Sequence, residues 1–219
     1  AVQSQIQIVY PADLKRGSAD AVKVSVMNTI LGGGSFMGRL MQNLREDKAY
    51  TYGARSSISP DEHIADFAAF ASVRNEVTDS AVTQFLFEME RMINEEVSEK
   101  DLKMAKSVLT GGFARSMESP QTIANFAYNT IRYNYPKDYY ANYLQNLEAV
   151  TVQDVMDMAK KYIRPENAHI VVVGNKDEVA DKLKVFDASG EIDFYDAYGN
   201  KVEMKKMDSP ADVTAESIL

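Results

Sequence analysis

Arg45 and Tyr52 are the two side chains of this sequence that are best suited to donate hydrogen bonds to a polarised carbonyl group. A guanidinium keeps its charge at any ordinary pH and offers forked donors, while a phenol can donate to a carbonyl oxygen that gains charge as water attacks. Together they would suit holding a peptide backbone against a metal supplied elsewhere. The alternative is structural: Arg45 would pair with Glu46 or Asp47 at a helix end, and Tyr52 would belong to a strand core.

The sequence contains two histidines, His63 and His169, and no cysteine. A catalytic zinc needs roughly three protein ligands, usually imidazoles or carboxylates, around an open position. No second histidine lies four residues from His63, which follows the turn-like pair Asp61 and Glu62, and His169 begins a predicted strand with no ligand partner nearby. We therefore predict a structural role for both histidines and no metal site within this chain.

A run of three glycines, Gly32–Gly34, precedes the elements that must position Arg45 and Tyr52. Consecutive glycines are not expected inside a stable helix or strand, because each loses more backbone freedom on ordering than any other residue. The run also lacks the Gly-Lys-Ser/Thr ending and the preceding strand of a phosphate-binding loop. We predict a tight turn between two helices.

A short helix and a strand are predicted directly after the glycines. Ser35 is a suitable N-cap, and apolar residues recur at helical spacing at positions 37, 40, 41 and 44. The alternation that follows at positions 50, 52 and 54 is typical of a strand. We therefore expect the Arg45 side chain to project from the end of the helix. The Tyr52 side chain should project from the strand that follows it.

The rest of the chain predicts a few strands and many helices. Strands are predicted at residues 2–10, 64–73 and 169–174. The strand at residues 64–73 is expected to pair antiparallel with the strand of Tyr52 and to be buried on both faces. Helical spacing predicts a helix opening near Ser18 and several more between residues 78 and 162. A capping box is predicted at Ser98–Asp101, and Thr151–Asp154 is predicted to open another helix. This order predicts an α+β fold: a mostly antiparallel sheet that helices cover on one face.

We predict one domain over residues 1–187 and a short extension over residues 188–219. Periodicity is poor beyond Asp187, where residues 192–198 are a candidate strand and residues 204–219 are predicted to form a loose tail. A chain of 219 residues can bury roughly 70% of its unfolded surface. Its core therefore needs no disulfide or metal.

The composition argues against some partners. A net charge of −8 disfavours a nucleic-acid backbone, and no apolar run of about 18 residues predicts a membrane-spanning helix. Six tyrosines between residues 128 and 143 lack a basic surround and are interpreted as core with a possible partner face. The chain opens on a predicted strand with no positive segment followed by an apolar one, so a signal peptide is either absent or not included in this sequence, and we interpret the start as that of a fragment of a longer protein.

The sequence around Arg45 resembles a known family. A glycine turn, a helix closing in Leu-Arg-Glu-x-Lys at residues 44–48 and a Tyr-Gly at residues 52–53 are similar to the second, non-zinc domain of the insulinase and pitrilysin zinc peptidases, whose relatives include the mitochondrial processing peptidase. Five further segments look similar in the same order, at residues 3–7, 70–74, 97–102, 150–155 and 170–174. One position departs from the pattern, because the usual Lys-Gly before the tyrosine reads Lys48-Ala49 here.

The resemblance implies a peptidase half-domain that is not itself catalytic. Zinc domains of the family carry His-x-x-Glu-His, which this sequence lacks, so the chain alone is expected to be inactive and to hold no cofactor. By resemblance, Arg45 and Tyr52 would contact the peptide substrate in the cleft of a zinc-bearing partner domain. That partner, in the same polypeptide or in another chain, would supply the zinc.

Other functions stay open at this point. The chain could instead be a non-enzymatic assembly or peptide-binding module of the same fold, whereas the missing zinc motif disfavours a complete hydrolase. Bacterial relatives with this pattern are often exported, so the periplasm or cell envelope of a bacterium is the expected compartment.

Overall fold

The computed structural model describes residues 2–34 and 36–202, and these contain a four-stranded sheet. Neighbouring strands are antiparallel throughout. The predicted α+β fold is confirmed. In the spatial order β2-β3-β1-β4, the strands are β1 (Gln3–Ala12), β2 (Thr51–Ser59), β3 (Ala65–Arg74) and β4 (His169–Val173).

Eight α-helices accompany the sheet within the described ranges. Two π-helical segments, Thr29–Gly33 and Gln42–Asp47, continue the first and the second of them. The helices are α1 (Asp20–Asn28), α2 (Arg39–Met41), α3 (Thr78–Asn94), α4 (Glu99–Ser116), α5 (Pro120–Arg132), α6 (Tyr143–Glu148), α7 (Val152–Tyr162) and α8 (Lys176–Leu183).

One face of the sheet is buried and the other is open. Along β1 the even-numbered side chains from Ser4 to Tyr10 are buried, while the glutamines between them are exposed, as the two-residue period of a strand requires. The buried face packs against apolar side chains of α1, α3 and α7. Among the most deeply buried of these are Val26, Met27, Phe85, Met89, Met92, Val155 and Ala159.

The prediction that residues 64–73 are buried on both faces is wrong. Asp66, Phe70 and Arg74 of β3 are exposed, and Phe70 retains 45% of its accessible surface. Ala65, Ala69 and Ala71 point to the helices, and we infer that the alanine content reflects close packing on that single face.

Helices α4 and α5 pack through aromatic rings rather than through a buried core. Phe126 of α5 stacks on Phe113 of α4 and on Tyr140, with ring centroids 5.9 and 3.8 Å apart. No described residue of α5 is buried, and Ile131 is exposed. The tyrosine-rich segment therefore forms a half-buried cluster of stacked rings and not core.

Within the described residues the chain divides into two compact units, with the division after Val179. In the second unit the candidate strand at residues 192–198 is wrong, because the structure has an isolated bridge between Tyr195 and Lys201 instead. Gly199 makes the turn inside that bridge with φ +80°. The predicted tail at 204–219 lies outside the described residues, and the predicted boundary after residue 187 stays a prediction.

Asp20 ties the start of α1 to the end of α7. Its Oδ2 accepts hydrogen bonds from Lys161 Nζ at 2.6 Å and from the Tyr162 hydroxyl at 2.8 Å. The bond from Lys161 is the main reason that the pKa of Asp20 is lowered. A lowered pKa in the folded state means that ionised Asp20 stabilises the fold above the ordinary aspartate pKa, and that this contribution is lost as pH falls through the lowered value.

We expect Asp20→Asn to lower the free energy of unfolding at pH 7. The difference from the wild type should shrink as pH falls below about 4, since protonated Asp20 resembles asparagine. Urea denaturation from pH 7 to pH 3 measures it. Asp13→Asn, at an exposed carboxylate, is the matched control, and an Asp20→Asn deficit that does not depend on pH would contradict this account.

Candidate functional site

Arg45 and Tyr52 lie on consecutive elements that are joined by residues 48–50. Arg45 is in the π-helical segment Gln42–Asp47, whose end is closed by hydrogen bonds from Ala49 N to the Arg45 carbonyl and from Tyr50 N to the Leu44 carbonyl. The strand β2 begins at Thr51. The predicted placement of Arg45 near a helix end and of Tyr52 on the following strand is confirmed.

Tyr52 is exposed at an irregular point of β2. Thr51 pairs with Val73 and Ala54 with Ala71, so Tyr52 and Gly53 together lie opposite Ser72 alone, which is a β-bulge. The Tyr52 side chain is 90% exposed. The alternative in which Tyr52 belongs to the strand core is wrong, because the bulge turns this residue out of the regular alternation.

Arg45 makes only weak contacts within the described structure. Its Nε lies 3.3 Å from Glu46 Oε1, which realises part of the structural alternative, and its guanidinium carbon lies 5.3 Å from the centre of the Phe36 ring. About a third of the side chain is exposed. An exposed ion pair contributes roughly 0–1 kcal/mol, so Arg45 can exchange this partner for a ligand at little cost.

The connection between Arg45 and Tyr52 is held in a strained conformation. Ala49 has φ +53°, which is uncommon for a residue with a side chain and costs about 1 kcal/mol or more. A glycine would adopt this angle freely, which explains why the related pattern has Lys-Gly where this chain has Lys48-Ala49. Arg74 Nη1 donates to the Ala49 carbonyl at 2.9 Å and holds the connection against the end of β3. No local sequence signal predicts this role of Arg74, because Arg74 and Ala49 are far apart in the chain.

The glycine run positions the elements on either side of it. An added Cβ at Gly32 would lie 2.6 Å from the Ser56 backbone nitrogen, and one at Gly38 would lie 2.9 Å from the Gly32 Cα. Gly32 and Gly33 lie inside the π-helical segment Thr29–Gly33, so the expectation that the run stands outside any helix is wrong. Close approach of neighbouring backbone explains the glycine at position 32. The predicted cap Ser35 lies outside the described residues.

Both histidines lie away from any ligand cluster. His63 is on an exposed turn, where its backbone nitrogen donates to Asp61 Oδ1 at 2.8 Å, and His169 starts β4 opposite Val9. Within residues 2–34 and 36–202, no three histidine, aspartate or glutamate side chains are grouped to bind a metal ion. Over the same residues, no helix has both the length and the apolar character needed to cross a bilayer.

The known proteins that resemble this chain include inactive domains of M16 peptidases. Residues 2–109 match the family model described as the peptidase M16 inactive domain. The chain is 26% identical to the crystal structure of a peptidase M16 inactive domain from Pseudomonas fluorescens, with a TM-score of 0.73 over 78% of this chain. It is 17% identical to a protease from Helicobacter pylori, with a TM-score of 0.71 over 80% of this chain.

The chain spans about two fifths of these solved structures, 41% of the Pseudomonas chain and 42% of the Helicobacter chain. Among curated proteins, none matches the sequence.

We expect Gly32→Ala to lower the free energy of unfolding by roughly 1–3 kcal/mol, since its Cβ would overlap the backbone of β2. Gly111→Ala in α4 is the matched control, because nothing lies within 4 Å of its added Cβ. That variant should raise stability by roughly 0.5–1 kcal/mol. Denaturant titration of both variants measures the contrast, and equal effects at the two sites would contradict the packing argument.

Proposed function

Because this chain belongs to the M16 peptidase family as an inactive domain, we propose that it binds the peptide substrate for a zinc-bearing partner domain. The observation that carries the proposal is the exposed Tyr52 on the β2 bulge, one short connection away from the weakly held Arg45. A side chain that served only stability would not be left 90% exposed beside a strained connection.

Each of the two side chains has a distinct task in this proposal. The Arg45 guanidinium binds a carbonyl or carboxylate of the substrate through two of its forked donors, which replace the pair with Glu46. The Tyr52 hydroxyl donates to the scissile carbonyl oxygen as negative charge develops on it. The zinc of the partner domain would polarise that carbonyl and activate water.

The edge of the sheet supports the binding of an extended peptide. Strand β2 is an edge strand in the order β2-β3-β1-β4, so one side of its backbone is not paired within the sheet. An extended substrate can add to such an edge through main-chain hydrogen bonds. Since Tyr52 lies on the same strand, an added peptide would run past the phenol.

Tyr52→Phe should lower kcat of the reconstituted peptidase by roughly 10- to 1,000-fold, because the donor to the charged oxygen is lost. The partner would be the domain that carries His-x-x-Glu-His, sought in the same or a neighbouring reading frame. Thermal stability should not change, since the side chain is exposed. Tyr198→Phe, at another exposed tyrosine, is the control, and unchanged kinetics in Tyr52→Phe would reject the role.

Arg45→Lys tests the forked contact separately from the charge. Lysine keeps the positive charge but cannot bind two oxygens in one plane, so KM should rise by roughly tenfold with a smaller effect on kcat. Arg115→Lys on the exposed side of α4 is the control. Equal KM values for the wild type and Arg45→Lys would exclude a bidentate contact. If neither Arg45 nor Tyr52 affected hydrolysis, a non-enzymatic binding module would become the better interpretation.

A further inference from the structure

A cavity of about 370 Å³ lies among the π-helical segment Gln42–Asp47, α3 and α4. Its volume falls in the range of roughly 300–1,000 Å³ that is usual for ligand sites. Apolar side chains form part of its wall, and a group of charged and amide side chains forms another part. The residues on which the argument depends are Phe36, Met37, Arg39, Asn43, Glu88, Arg91 and Val108.

Two polar atoms in this cavity wall are buried without a partner. Three buried side-chain nitrogen or oxygen atoms lack a hydrogen-bond partner within the described part of the chain, and Arg39 Nη1 and Asn43 Oδ1 are two of them. Both residues line the cavity, and their spacing of four places them on the same side of the helical segment. An unpaired buried polar group costs free energy, so a ligand that offers an acceptor to Arg39 Nη1 and a donor to Asn43 Oδ1 would be stabilised by satisfying both.

The orientation of the Asn43 amide is fixed by its neighbours. Asn43 Nδ2 donates to Glu88 Oε1 at 2.7 Å and to Gln84 Oε1 at 3.0 Å. An ionised carboxylate only accepts hydrogen bonds, so the amide nitrogen must face Glu88. Asn43 is 8% exposed and Glu88 is 2% exposed, which leaves Asn43 Oδ1 as a rigid, buried acceptor.

The two arginines of the cavity differ in their partners. Arg91 Nη1 lies 3.2 Å from Glu88 Oε2, and its Nε lies 2.9 Å from Glu95 Oε2. Arg39 has no ion pair among the described residues, and burial together with repulsion from Arg91 lowers the pKa of its guanidinium. Arg39 therefore contributes a donor that no neighbouring side chain uses, whereas Arg91 holds the buried Glu88.

The charges around the cavity favour a neutral ligand. Two guanidinium groups, of Arg39 and Arg91, share the lining with three carboxylates, of Asp47, Glu88 and Asp101. A carboxylate ligand is disfavoured because the lining carries one more negative than positive charge, and a cation cannot accept the hydrogen bond that Arg39 Nη1 leaves unmade. A neutral amide meets neither penalty, since its carbonyl can accept from Arg39 Nη1 while its N–H donates to Asn43 Oδ1.

From these observations we propose that the cavity binds an apolar residue of a peptide together with the neutral amide group next to it. The amide pairs with Arg39 and Asn43, and the side chain packs on Phe36, Met37 and Val108, which are partly exposed at the rim. Phe36 also lies under the Arg45 guanidinium, so the cavity adjoins the proposed substrate contact. The assignment stands independently of the roles of Arg45 and Tyr52.

The test is a titration of this chain alone with N-acetyl-leucinamide, followed by NMR chemical-shift changes. We expect saturable binding with a roughly millimolar dissociation constant, given the small size of the probe. N-acetyl-leucine, which carries a carboxylate in place of the amide, should bind at least several-fold more weakly. Stronger binding of the carboxylate, or no saturable binding of the amide, would overturn the proposal.

Paired variants separate binding from stability. Arg39→Met should weaken N-acetyl-leucinamide binding by roughly 10- to 100-fold and leave the thermal midpoint unchanged or higher, because it removes an unpaired buried donor. Arg115→Met, at an exposed arginine of α4 that does not line the cavity, is the matched control and should change neither probe binding nor the thermal midpoint. Probe binding that is unaffected by Arg39→Met would contradict the assignment.

A variant that fills the cavity gives a second, independent result. Val108→Trp at the rim should abolish binding of the amide probe, whereas Ser107→Trp, on the neighbouring position that does not line this cavity, should leave it intact. Equal binding in both variants would place the probe elsewhere. Because no zinc-bearing partner is present in these assays, their failure would leave the hydrolysis tests of Arg45 and Tyr52 unaffected.

Discussion

The backbones of the π-helical turn at Gly32 and of β2 at Ser56 approach so closely that not even a methyl group fits between them. The start of the next helix at Gly38 meets the same turn, so three backbone segments converge at one point. Two hydrogen bonds between the side chain of Asn28 and Ser56 tie the end of α1 to the strand as well. This contact sets the position of the helical segment that carries Arg45 relative to the strand that carries Tyr52.

Stability and exposure are divided between different parts of the structure. The sheet buries one face against α1, α3 and α7, where interdigitated apolar side chains supply the stabilising free energy. The candidate functional side chains, Arg45 and Tyr52, lie at the edge of that layer, where Ala49 is strained and Tyr52 projects from a bulge. A well-packed core can hold such a strained connection in place, which lets Tyr52 stay exposed and Arg45 stay weakly paired at defined positions.

Buried polar groups fall into two kinds in this domain. Ser4 Oγ and Thr78 Oγ1 lie 2.9 Å apart, and Ser4 Oγ donates to Asn75 Oδ1, so this cluster is satisfied internally and joins β1 to the start of α3. The Arg39 and Asn43 atoms in the cavity have no such internal partners among the described residues. The first cluster serves the fold, because every contact it needs is present in it. The second has a donor and an acceptor that no described side chain satisfies, and the proposed amide ligand would supply the partners for both.

The sequence alone determined the class of fold, the order of most elements and the two candidate side chains. Alternation of glutamines with isoleucines predicted the faces of β1, and the run Thr151–Asp154 predicted the start of α7, where the structure has a capping box, because both signals depend on neighbours within a few residues. The exposure of Tyr52 depends on a bulge in the pairing of β2 with β3, and the open face of β3 depends on which elements pack against it. The link from Arg74 to Ala49 and the unpaired atoms of Arg39 and Asn43 arise between segments distant in the chain. Only the tertiary structure decided these features, because the local sequence does not determine which distant groups contact one another and which remain without a partner.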